Sequence, residues 1–83
     1  MTCSNEGFFA VSEPNWEPLE QALSPEECMD FMYMGRVGKI ELYKHRWTRR
    51  YLNISSDCDR FYLYTNRNYV EVERSMALDH VRS

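Results

Sequence analysis

Glycine and proline are scarce in this chain of 83 residues, three of each, which excludes low-complexity, collagen-like and linker-type organisation. No window approaches the roughly 18 consecutive apolar residues of a membrane-spanning helix, and no basic cluster precedes an apolar core at the amino terminus. Neither a membrane span nor a signal peptide is expected, and the cytoplasm is the expected compartment. Cys3, Cys28 and Cys58 are odd in number and widely spaced, with no C-x-x-C pair and no histidine at zinc-ligand spacing, so neither a disulfide framework nor a metal knuckle is indicated. Lysine and arginine are missing altogether from residues 1 to 35, which hold seven acids, whereas residues 36 to 83 hold all ten basic residues against six acids. The net charge of −3 therefore divides into −7 and +4, a split that either attracts an electrostatic partner or is satisfied by packing an acidic helical half on a basic sheet half.

The apolar share, 43% with 14% aromatic, is too high for a disordered chain. A single small domain over residues 1 to 83 is expected, with residues 1 to 6 disordered, and a chain of this size buries only about 60% of its unfolded surface. Ser24-Pro25-Glu26-Glu27 combines an N-cap serine, a proline at the first helical position and a glutamate placed to close a capping box. With Cys28, Phe31 and Met32 on one helical face and Gly35 as a stop, a helix is expected over roughly 25 to 34. Asn15 caps a shorter helix at about 16 to 23, with Leu19, Ala22 and Leu23 as its apolar stripe. From Val37 the period changes to two, and runs at 37 to 44, 47 to 54, 60 to 65 and 69 to 73 read as strands. Asp57 and Asp59 supply one turn, and Asn66-Arg67-Asn68, tolerant of positive φ, another. The expected fold class is α+β: one or two short amino-terminal helices packed on a four-stranded antiparallel β-meander, with a short carboxyl-terminal helix or a further strand at 75 to 82. Phe8-Phe9-Ala10-Val11 is either an added strand or a segment lying over the core.

Strict alternation sorts the strand residues onto two faces. Ile40, Leu42, Leu52, Ile54, Phe61, Leu63, Val70 and Val72 form the expected core face. The opposite face collects Lys39, Glu41, Tyr43, Trp47, Arg49, Tyr51, Arg60, Tyr62, Tyr64, Tyr69, Glu71 and Glu73, hence five of the six tyrosines. The octapeptide KHRWTRRY at 44 to 51 borders it as a hairpin tip. Tyrosine, tryptophan and arginine are enriched where surfaces meet partners, so Tyr43, Lys44, Arg46, Trp47, Arg49, Arg50, Tyr51, Arg60, Tyr62, Tyr64 and Tyr69 are the expected partner-binding residues. A bulge at Arg46 and Trp47 would turn Trp47, Arg49 and Tyr51 inward, and Phe8 and Phe9 folding over the face would make it a second core layer.

A protein partner or a homo-oligomer is the first expectation for this surface, since Glu41, Glu71 and Glu73 among the arginines suit self-complementarity. Single-stranded nucleic acid is the second, by base stacking and phosphate pairing, although a sequence pI near 5.3 opposes it. Gly38-Lys39-Ile40-Glu41-Leu42-Tyr43-Lys44, followed by Trp47-Thr48-Arg49-Arg50-Tyr51-Leu52-Asn53-Ile54, resembles the opening hairpin of a pleckstrin-homology domain, and Phe61-Tyr62-Leu63-Tyr64 resembles its third strand. That resemblance, over about half of the family's fold, implies phosphoinositide or protein binding, with Lys39, Lys44 and Arg50 as head-group contacts.

No catalytic set is legible. His45 lies between Lys44 and Arg46, His80 reads as a surface residue, and the acids flanking Cys58 disfavour the thiolate that a reactive cysteine needs. Glu26 and Glu27 point in different directions on a helix, and Asp57 and Asp59 lack EF-hand spacing. A non-enzymatic binding protein is expected, with no cofactor, metal or small-molecule substrate indicated.

Overall fold

The computed structural model describes residues 13–83, so the expectations for residues 1 to 6 and 8 to 11 lie outside the described residues. Two short helices, α1 (Glu17–Ala22) and α2 (Pro25–Cys28), lead into five strands and a closing helix. The strands are β1 (Phe31–Val37), β2 (Ile40–His45), β3 (Tyr51–Ser55), β4 (Phe61–Thr65) and β5 (Asn68–Val72), and the helix is α3 (Arg74–Arg82). All strands pair antiparallel with their sequence neighbours in the order β1-β2-β3-β4-β5. The class is α+β, with five strands rather than four. No helix of the described residues is long and apolar enough to cross a membrane.

The local signals around Ser24 hold. Its Oγ accepts from the Glu27 N–H and the Glu27 carboxylate accepts from the Ser24 N–H, both at 3.2 Å, so the capping box is complete. The helix nevertheless stops at Cys28, and residues 31 to 34 form a strand, which corrects the expected helix over 25 to 34. Phe31-Met32-Tyr33-Met34 satisfies a period of two as well as one of 3.6, and pairing with β2 decides between them. The carboxyl-terminal segment is helical, with Ala77, Leu78 and Val81 buried, and starts at Arg74 without a side-chain cap. In the β4–β5 turn, Asn66 and Arg67 both have positive φ (50° and 67°) between the paired Thr65 and Asn68, the pattern of a type I′ hairpin.

The expected faces are wrong for β2 by one residue. Directly opposed residues share a face, and the register sets Glu41 against Ile54 and Tyr43 against Leu52. Glu41 and Tyr43 therefore point to the core, and Ile40 and Leu42 point away from it. Tyr43 is 0% exposed, its ring 5.8 Å from those of Trp16 and Tyr33, and its hydroxyl donates to the Asn15 carbonyl. Around it Leu19 and Ala22 of α1, Phe31, Leu52, Ile54, and Ala77, Leu78 and Val81 of α3 complete the core.

Glu41 is buried as a carboxylate because four donors converge on it. Tyr33 Oη (2.6 Å), Arg36 Nε (2.7 Å), Ser56 Oγ (2.6 Å) and Asn15 Nδ2 (3.4 Å) all donate to its oxygens. A bulge makes this geometry: Tyr33 pairs with Tyr43 but Gly35 with Leu42, so Met34 is the extra residue and Tyr33 and Arg36 reach the same side of the sheet. Gly35 supports the bulge at φ 127°, a conformation that L side chains rarely adopt.

Candidate functional site on the outer sheet face

With α1 and α3 packed on the Tyr43 face, the other face of the sheet carries no helix among the described residues. Its rows follow from the register. Met32, Lys44 and Tyr51 form one row, Leu42, Asn53, Tyr62 and Glu71 the next, and Tyr64 faces Tyr69 in the β4–β5 hairpin with ring centroids 4.8 Å apart. Four of the five tyrosines expected here are present. Tyr43, the fifth, is a core residue that cannot reach a partner, because its ring is fully buried against Trp16 and Tyr33.

The octapeptide divides between two places. Arg46 donates its N–H to the Asp30 carbonyl (2.8 Å) and Trp47 Nε1 donates to the Asp30 carboxylate (3.3 Å), which ties the tip to the α2–β1 junction. Thr48 Oγ1 donates to the Val81 carbonyl of α3 (2.7 Å), and its N–H donates to His45 Nδ1 (3.1 Å), which places the imidazole proton on Nε2. Trp47 is 71% exposed with the Arg46 guanidinium 6.0 Å from its ring centroid, but it lies at this pinned tip rather than among the tyrosines. Arg49 is exposed in the left-handed region at φ 68°. Lys44 and Tyr51 belong to the outer face, and Arg50 sits beside Tyr51. Arg60 is exposed and pairs with Glu71 at 3.4 Å.

β3 and β4 pair through Asn53↔Tyr62 and Ile54↔Phe61, with the Ser55 N–H donating to the Arg60 carbonyl (2.8 Å) at the turn, and toward Tyr51 and Tyr64 no further pair forms among the described residues. The gap opens into a cleft of about 380 Å³ lined by Arg50, Tyr51, Asn53, Tyr64, Tyr69 and, from α3, His80, with Leu42 beneath. Asn53 is 2% exposed; its Nδ2 donates to the Tyr62 carbonyl (3.2 Å), whereas its Oδ1 has no partner among the described residues. Burial, with Tyr64 and Tyr51 alongside, raises the Tyr69 hydroxyl above its ordinary value and keeps it a donor at neutral pH.

Sequence reasoning missed Leu42, Asn53 and His80. An asparagine in mid-strand between Leu52 and Ile54 was the available signal, because strands disfavour it unless its amide is used. The thiols of Cys28 and Cys58 are both raised, chiefly by burial, and stay protonated at neutral pH. Compared with known proteins, no family model, curated protein or solved structure matches this chain.

Proposed function

We propose that the chain is a non-catalytic interaction module of the cytoplasm that associates with a second copy of itself through the outer sheet face. The observation that supports this reading is the helix-free face bearing Tyr51, Tyr62, Tyr64 and Tyr69 around Leu42 and Met32, with charges at its margins. Beyond its junction with β3, the β4–β5 hairpin carries apolar surface on both sides, with Tyr64 58% and Val70 45% exposed. Lys44 lies at one side of the face and the exposed Arg60–Glu71 pair at the other, so a two-fold contact brings Lys44 alongside a Glu71 that also holds Arg60. Trp47 and Arg46 lie outside this reading because Asp30 holds them elsewhere.

Sedimentation equilibrium over a wide concentration range tests it. The expected result is a monomer–dimer equilibrium that moves toward monomer by tenfold or more in a Tyr62→Ala, Tyr64→Ala double variant and is unchanged in Trp47→Ala. A monomer at all concentrations overturns self-association. Salt-sensitive binding of a single-stranded oligonucleotide by that monomer would assign the face to nucleic acid. Binding to phosphoinositide vesicles that weakens in a Lys39→Ala, Arg50→Ala variant would assign it to the pleckstrin-like reading.

A further inference from the structure

The β3–β4 cleft has features that a protein contact does not need. Among the described residues no carboxylate lines it, Arg50 brings a permanent positive charge, and Glu71, farther along the Asn53 row, pairs with Arg60. Its walls are three tyrosine rings, two of them, Tyr64 and Tyr69, in contact. Asn53 forms the buried floor of the cleft, its Nδ2 donating to the Tyr62 carbonyl and its Oδ1 closed off without a partner among the described residues. The volume falls within the range of small-ligand sites, roughly 300–1,000 Å³.

We propose that this cleft binds a small planar heterocycle that carries an anionic group, the chemistry of a free nucleoside monophosphate. The ring packs against the tyrosines over the Asn53 floor, and the anion pairs with Arg50. His80 contributes an imidazole N–H that donates to the same anion or to a ribose hydroxyl. Leu42, Tyr51, Tyr64 and Tyr69 also belong to the self-association face proposed above, so the ligand and a second copy compete for them and the site is one of the monomer.

The test is an NMR titration of the monomeric protein with adenosine monophosphate, with ribose 5-phosphate, adenosine and a short oligoadenylate as separate arms. Saturable shifts of the Asn53 side-chain amide and of the Tyr64, Tyr69 and His80 signals are expected, with affinity tenfold or more above that for ribose 5-phosphate. Arg50→Ala, an exposed position, weakens the monophosphate by tenfold or more while leaving adenosine within about twofold. Absence of shifts at millimolar ligand, or shifts confined to other residues, overturns the proposal. Equal affinity for ribose 5-phosphate overturns the heterocycle, and oligoadenylate binding tenfold tighter per site than the monophosphate overturns a free nucleotide as its ligand.

Discussion

Glu41 is a charged side chain that behaves as a core residue. Burial on its own raises its pKa, but hydrogen bonds from Ser56, Tyr33, Arg36 and Asn15 outweigh that and hold it below the ordinary value of 4.5. With the folded-state pKa lowered, the unfolded chain takes up the proton first as pH falls. The stabilisation is therefore complete above about pH 4.5 and is lost as pH descends through the folded value. Glu41→Gln replaces an acceptor with a donor facing other donors. It should cost about 2 kcal/mol at pH 7 in urea unfolding, and should shallow the loss of stability below pH 4.5. An unchanged urea midpoint would contradict this account of the buried carboxylate. Glu41 and Tyr43 are also where the sequence was least legible: Ile40 and Leu42 look inward by hydropathy, and the four donors to Glu41, all of them beyond a turn from β2, favour the opposite face. Asn53 and the four outer tyrosines, by contrast, keep the faces that alternation assigns them once Leu52 and Ile54 are inside.

Among the elements, β1 shows how tertiary pairing overrides a helical pattern. Its capping box is genuine, but it governs only four residues, after which Phe31 and Tyr33 turn inward and Met32 outward as β2 pairs alongside. The bulge at Met34 was not legible, since nothing in Tyr-Met-Gly-Arg distinguishes it from a helix end at glycine. Gly35→Ala meets open space at its Cβ yet forces an alanine to φ 127°, and should destabilise by about 1–3 kcal/mol. Chemical shifts of Arg36 and Tyr33 should move with it, whereas a change confined to Gly35 would mean that the bulge does not align Arg36. The α3 helix was legible from Ala77, Leu78 and Val81, and its docking holds His80 at the cleft. Leu78→Ala, leaving a cavity against Phe31, His45 and Val81, should cost about 2–4 kcal/mol and shift the His80 ring signals. Full stability in that variant would mean that α3 is only loosely attached.

For the molecule as a whole, the split between an acidic first part and a basic second part is only partly resolved by internal pairing. Among the described residues, Arg82–Glu27 at 2.8 Å is the ion pair that joins the two parts, and Arg74 uses its guanidinium on the Ala22 carbonyl. Arg46, Arg49 and Arg50 form no ion pair among the described residues, and Lys44 stands on the outer face. The two-layer arrangement, helices on one side and tyrosines on the other, was visible in the sequence because β3, β4 and β5 keep the faces that alternation assigns them, although β2 does not. The division of KHRWTRRY was not, because it depends on Asp30, fourteen or more residues away, binding Arg46 and Trp47. The most direct check on the outer face is a dilution series of two-dimensional amide spectra from millimolar to micromolar protein. Self-association predicts concentration-dependent shifts at Met32, Lys44, Tyr62 and Tyr64 with the Trp47 indole signal stationary; shifts at Trp47 and the helices with the tyrosine rows unmoved would contradict it.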